Sequence, residues 1–400
     1  MNRIAPSLTG APRTIVMGAV LTVVAIAATF GLDPYRNFQL ATIVAYFCAV
    51  AGLTLLVGLT GQLSLGHAAL MAVGGYAYAL TASLATDMGL DGLPRFLLGM
   101  AGAIAASTLH GLLLGLAGAR LHGPYLAGLT LGIAIALPAV TAQFSGVLGG
   151  DQGLRIDRDD VPAVLSRLIV VEQWQAWVAI MIAGVVVTGL AAVRRSSLGL
   201  RMRAVRDDET AARLSGVPAG RVKVVAFTLS SVAAGAGGAA LCFVTQSVSP
   251  GAYTLAFSLL LVVAAVVGGL GSIGGAALGA ALIVMLPWLV ATLTDLVDMP
   301  AELEQRLSGN LGLLVFGALL IIVMLARPGG LAGLRRGRRT RRTSAEDPTP
   351  PSGPDAVAAT SPTGATAADP APASALREMP ANDQPRTPQT VLQSPTERER

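Results

Sequence analysis

The 400-residue chain is 53% hydrophobic and only 13% charged, with a mean hydropathy of +0.65; soluble domains carry roughly a quarter charged residues, so the composition excludes an ordinary soluble protein. A net charge of +5 does not indicate nucleic-acid binding, because the basic residues gather in loops bordering apolar segments and aromatics are only 4% of the chain, a poor supply of base-stacking platforms. Cys48 and Cys242 both fall inside apolar stretches, which excludes a disulfide framework and gives no metal-binding pattern.

Residues 1–13 are a basic N-terminal segment. Apolar runs near the roughly 20 residues that cross a bilayer then predict helices at 14–32, 38–58, 66–84, 96–118, 124–145, 175–193, 224–246, 254–270, 273–294 and 309–326. The expected fold is therefore all-α and polytopic, with about ten transmembrane helices in a permease-like domain at 14–327. Arg3 and Arg13 ahead of an apolar core, with small residues at Ala25–Ala28, also fit a signal peptide. The length of the run and its extended charged flank favour a retained helix. The 47 glycines suit helices that approach closely where lipid supplies no hydrophobic drive between them.

Two glycine-rich, uncharged interruptions, GLTGQLSLGH around 59–65 and GGLGSIGG around 269–274, are compatible with tight turns, broken helices or re-entrant segments. Their likeness hints at an internal repeat, although such runs arise easily in this composition.

Loop charge orients the chain. Loop 146–174 holds Asp151, Asp157, Asp159, Asp160 and Glu172 against three arginines, and loop 295–308 holds Asp295, Asp298, Glu302 and Glu304 against Arg306. Both are expected outside. The polar island 194–223, with eight basic and three acidic residues, and the run from Arg335 to Arg342 are expected inside by the positive-inside rule. The intervening spans alternate consistently, placing both termini in the cytoplasm. The basic stretch from 328 belongs at the anionic inner leaflet. From Ser344 the Pro/Ala/Ser/Thr-rich tail lacks the apolar surface to offset its ordering entropy and is expected to be disordered.

None of the ten apolar segments contains Asp, Glu, Lys or Arg, which argues against ion-coupled transporters, pumps and voltage sensors. His110, the histidine well inside a span, reads as a packed neutral ring. Tyr76, Tyr78 and Tyr125 read as packing or interfacial residues. The only lysine is Lys223, so the chain has no phosphate-binding loop of the G-x-x-x-x-G-K-[ST] type, and it carries no catalytic constellation.

Within the island, Leu200–Ser215 follows helical spacing, with Gly216 and Pro218 as stop signals. At about 100° per residue, Ala204, Ala211, Ala212 and Ser215 form a small-residue stripe beside Arg201, Val205 and Asp208, while Arg203, Arg206 and Arg213 lie opposite. An amphipathic helix at the membrane surface has the same composition.

SLGLRMRAVRDDETAARLSGVPAGRVKVVAFTLSS closely resembles the cytoplasmic coupling segment of LivM-type permeases, subunits of branched-chain amino acid ABC importers. GLTGQLSLGHAALMAVGGYAYAL (58–80), GPYLAGLTLG (123–132) and VVGGLGSIGGAALGAALIVMLP (266–287) resemble the same family, in family order, across about residues 40–327. The resemblance implies a second permease subunit, two cytoplasmic ATPases that use ATP and Mg2+, and a periplasmic or lipid-anchored binding protein. This chain itself would bind no cofactor and would work among membrane lipids without nucleic acid. It implies ATPase docking through Ala204, Ala211, Ser215 and Gly216, with Arg201, Asp208 and Glu209 adding charge-assisted contacts. It also places Gly58, Gly61, Gln62, Ser64, Gly66 and His67 at a backbone interruption where Gln62, Ser64 and His67 are candidates for the translocation path.

Two departures stand out. Where related permeases often carry a glutamate after the TLG-like stretch, this chain reads Thr130, Leu131, Gly132, Ile133, and the long tail lies beyond the resemblance. The expected function is an inner-membrane permease subunit for branched-chain or other hydrophobic amino acids. Related permeases serve urea and short-chain amide importers, and uncharged spans alone also suit a self-contained channel for a small neutral solute.

Overall fold

The computed structural model describes residues 10–295, apart from 122, 158–160 and 163–164, together with 317–318, 321–322 and 325. Twelve α-helices run in the order α1 (Gly10–Ala28), α2 (Pro34–Thr60), α3 (His67–Asp87), α4 (Leu93–Arg120), α5 (Pro124–Gln143), α6 (Ser145–Leu148), α7 (Val171–Arg195), α8 (Ser197–Asp207), α9 (Glu209–Leu214), α10 (Ala219–Thr245), α11 (Leu255–Gly268) and α12 (Ile273–Asp295). Among the described residues the only sheet is a short antiparallel pair, β1 (Leu154–Arg155) and β2 (Ser247–Val248), with Leu154 opposite Val248.

Seven of these helices are long and apolar enough to cross a membrane, α1 to α5, α7 and α10, and α11 and α12 add shorter apolar stretches. Nine of the ten apolar segments read from the sequence are thus helical. Of the tenth, at 309–326, five residues are described and all are helical. The loop from residue 296, the arginine run and the tail lie outside the described residues.

Local chemistry sets the helix ends. Asp33 starts α2 by accepting the Arg36 N–H at 2.7 Å, with Pro34 at the first helical position; both choices suit a helix N-terminus. Gly61, at φ +70°, ends α2 in the left-handed region that glycine enters without cost. The Thr254 hydroxyl accepts the Phe257 N–H at 3.2 Å and starts α11. That helix has 14 residues, about 21 Å of rise against a hydrocarbon core of about 30 Å. The segment expected to span at 254–270 is therefore a short helix, ended by glycines at 268, 269 and 271.

The bundle is built around α10, which packs against α2, α3, α4 and α7. Its run GAGGAA is the reason: a Cβ on Gly74 of α3 would lie 2.1 Å from the Gly235 carbonyl oxygen, and a Cβ on Gly235 would lie 1.8 Å from Ser107 Oγ of α4. Backbones meet directly between α3 and α10, and on the other side the Ser107 side chain fills the space that a Cβ on Gly235 would need. Such close approach maximises van der Waals contact where apolar lipid gives none of the usual drive for association.

Polar contacts sort the loops onto two ends, independently of charge. At one end Trp177 Nε1 and Gln173 Nε2 donate to Thr29 Oγ1, Arg95 donates to the Asp157 carbonyl, and β1 pairs with β2. At the other, Arg195 donates to Thr14 Oγ1 at 2.6 Å and Arg206 to the Gly58 carbonyl at 2.6 Å. The acidic loop after α5 and the basic island after α7 therefore lie at opposite ends, in the zigzag expected from the positive-inside rule.

Candidate functional site

The basic island folds into α8 and α9 rather than the single helix expected from 200 to 215. Asp208 breaks it: its backbone is extended (φ −156°, ψ 109°), and its carboxylate accepts the N–H groups of Thr210 and Ala211 at 2.8 and 2.9 Å. An aspartate satisfies free amides at a helix start better than it tolerates a helix interior. The break rotates the two halves relative to one continuous stripe. Ala204, Ala211, Ser215 and Arg201 are exposed as expected, but Ala212 is buried, along with Met202 and Val205. Gly216, exposed at φ +79°, closes α9. Beside it Leu214 is 87% exposed, an apolar side chain that helical periodicity did not single out.

The charged residues are used within the chain. Asp208 is the helix cap just described. Glu209 Oε2 accepts from Lys223 Nζ at 2.6 Å and its Oε1 from Arg213 at 2.5 Å. Partial burial works to raise the Glu209 carboxyl, but the Lys223 ammonium and the Arg213 guanidinium outweigh it and hold the group below its ordinary range. Arg206, assigned from periodicity to a solvent or head-group face, is exposed there and also reaches across to the end of α2. Its Nη1 meets the Gly58 carbonyl while Nε and Nη2 bind Asp207 Oδ1 at 2.9 and 2.7 Å.

Gly58 lies in the last turn of α2, and the six residues after Thr60 are not helical. This interruption climbs into the bundle. His67, at the start of α3, faces Ser230 of α10, about three turns and 16 Å along that helix. His67 Nδ1 lies 3.3 Å from Ser64 Oγ and its Nε2 3.3 Å from Ser230 Oγ, and all three residues are completely buried. Leu65 N–H donates to Thr130 Oγ1 of α5 and Ala68 N–H to Ser258 Oγ of α11, at 2.9 and 3.0 Å. Side-chain hydroxyls thus satisfy backbone groups freed by the break, as an intramembrane interruption requires. Sequence reading placed Ser64 and His67 at the break but not Ser230, which faces His67, nor Thr130 and Ser258, which accept the neighbouring Leu65 and Ala68 amides from distant helices. It also took His110 as the intramembrane histidine, whereas His67 sits deeper in the packing.

The second interruption, between α11 and α12, packs on the first. A Cβ on Gly58 would lie 2.3 Å from Gly271 N, and the Gly271 N–H donates to the Thr54 carbonyl at 3.2 Å. The second stretch is a tight turn, in which the Ser272 N–H donates to the Gly269 carbonyl and the contacts of Gly268 with Gly275 and of Gly279 with Ala264 set α11 and α12 antiparallel; the first is a six-residue non-helical segment between α2 and α3.

A cavity of about 720 Å³ lies at this end, bounded by Gln62, Leu63 and Leu65 of the interruption, Leu126 of α5, and Arg206, Asp208, Glu209 and Lys223. Its volume lies within the range of small-molecule sites. Leu63 and Leu65 line the cavity, whereas Ser64 is fully buried beside His67. Gln62 is 6% exposed and its Nε2 has no hydrogen-bond partner among the described residues. Among the described residues no group of three or more His, Cys, Asp or Glu side chains could hold a metal ion.

Comparison with known proteins adds to this geometry. Residues 37–324 match the sequence model of the family described as Branched-chain amino acid transport system / permease component. Similar curated proteins include the high-affinity branched-chain amino acid transport system permease protein LivM of Salmonella typhimurium, 28% identical over 338 residues, covering 79% of this chain and 74% of the relative. The protein of the same name from Escherichia coli is 29% identical over 312 residues, covering 73% and 68%. No solved structure matches.

Proposed function

From the premise that the chain belongs to the family of branched-chain amino acid transport system permease components, we propose that it moves branched-chain or other hydrophobic amino acids into the cell. It is a multi-pass inner-membrane permease subunit of an ABC importer, not an enzyme, and its family works with ATPase and other partners. Its own assembly would comprise this chain, a second permease, two ATPases that hydrolyse ATP with Mg2+, and an external binding protein. The cargo follows the names of its relatives and the apolar lining supplied by Leu63, Leu65 and Leu126.

The observation that carries the mechanism is the position of α8 and α9. They present Ala204, Ala211, Leu214, Ser215 and Gly216 outward, while Arg206, Asp208 and Glu209 of the same segment form one wall of the cavity. An ATPase that grips the outer face moves a wall of the path directly. Small side chains at Ala204, Ala211 and Ser215 allow a close fit, and Leu214 supplies an apolar anchor. Arg201 adds charge at the rim, whereas Asp208 and Glu209 shape the segment from within.

Gln62 lies at the inner end of the path. Ser64 and His67 line its continuation once the 61–66 segment moves, since Ser64 lies between the cavity-lining Leu63 and Leu65. The test is to purify the tagged chain from its native membrane with and without Ala211→Arg. Recovery of two ATPases with the native chain and their loss with the variant, at equal membrane insertion, is expected. Normal uptake of leucine by cells carrying the variant overturns the docking face, and an intact chain that never recovers an ATPase favours the channel alternative.

A further inference from the structure

The last-turn carbonyls of a helix have no partner within it, and a cation beside them is favoured by both hydrogen bonding and the helix dipole. At the end of α2 that cation is Arg206, from a segment 148 positions later in the chain. Its other guanidinium nitrogens are held by Asp207, so the side chain is oriented before it reaches the Gly58 carbonyl. Gly58 in turn is in backbone contact with Gly271, and the Gly271 N–H is bonded to Thr54. One arginine of α8 therefore holds the end of α2 that leads into the first interruption, and through a contact that admits no side chain it reaches the turn that forms the second.

We infer that Arg206 is the residue that transmits movement of the α8–α9 segment to both glycine-rich interruptions, working as a positioning residue on the Gly58 carbonyl. The inference rests on the permease reading above and names the link inside it. The remaining contacts of the segment differ in kind. Met202, Val205 and Ala212 are buried apolar groups that can slide, and the Glu209–Lys223 pair holds the segment to α10. Of the side-chain bonds described for the segment, the Arg206 bond is directed at the backbone next to a break. A charge-assisted bond of this geometry resists both shear and separation, whereas apolar contacts are non-directional.

The experiment uses the complete importer, with its partner permease, ATPases and binding protein, in proteoliposomes supplied with ATP and leucine. ATP hydrolysed per leucine taken up is compared for the native complex, Arg206→Ala, Arg206→Lys and Ala211→Arg. Arg206→Ala is expected to retain both ATPases and their hydrolysis while the ratio rises at least about fivefold, the lower end of usual coupling effects. Arg206→Lys, which can still reach a carbonyl, is expected to recover much of the loss. An unchanged ratio in Arg206→Ala overturns the inference, as does a parallel fall of hydrolysis and uptake, which marks a merely structural role. Should Arg206→Ala fail to assemble, Arg206→Gln, which keeps a donor without the charge, is read by the same ratio. Failure of the permease reading itself is separate: native complexes would take up no leucine, or Ala211→Arg would keep its ATPases and its uptake, and either result removes the basis for the inference.

Discussion

Gly74→Ala tests whether backbone contact at α10 holds the bundle together. The added Cβ would sit 2.1 Å from the Gly235 oxygen and 2.3 Å from its Cα, where non-bonded carbon contacts need about 3.5 Å. α3 and α10 must therefore part by about 1.2 Å. Recoil is blocked, because Gly235 is itself pressed against Ser107 of α4. Overpacking of a dense core costs about 1–3 kcal/mol, and at about 2–4 °C per kcal/mol the expected fall in Tm is about 3–10 °C. The assay is a thermal scan of the purified chain in mild detergent, run beside Gly132→Ala. Gly132 lies in α5 with nothing within 4 Å of its added Cβ, and alanine there removes a helix-interior glycine worth about 0.5–1 kcal/mol. Equal Tm values for native chain and Gly74→Ala, or an equal fall in the Gly132→Ala control, would refute the close-packing argument.

Replacing His67 by Phe leaves the buried hydroxyls of Ser64 and Ser230 without their shared partner; a loss of about 1–3 kcal/mol per stranded group is expected in the same scan, together with loss of uptake. Asp208→Ala removes the start of α9, and a cap of this kind is worth about 1 kcal/mol; increased amide exchange at Thr210 and Ala211 is the expected signature, and unchanged protection there would count against the break as described. The Glu209 carboxyl is held below its ordinary 4.5 in the folded chain, so it stabilises the fold fully above that value and loses its contribution as pH falls through the lowered one. Subtracting the Tm–pH profile of Glu209→Gln from that of the native chain should give a difference that is constant near neutrality and shrinks in acid; a difference that grows in acid would reverse the sign of the argument.

The sequence by itself determined that the chain spans a membrane, where nine helices lie, which loops share a side and which stretch resembles a coupling segment. These properties depend on composition, period and charge summed over many neighbouring residues, which local reading captures. It also found the two interruptions, since glycine-rich polar stretches announce a break without naming its form. Only the tertiary structure decided what the breaks do. Thr130, Ser230 and Ser258 satisfy the first break from α5, α10 and α11, and Gly58 meets Gly271, contacts between residues far apart in the chain. It likewise gave Arg206, an exposed charge as expected, a bond to the α2 carboxyl end, and it split the expected single helix because Asp208 caps a new helix rather than continuing the old one. Helical period assigns a face only while the helix continues, and which polar group reaches across the bundle depends on the backbones that close packing brings beside it.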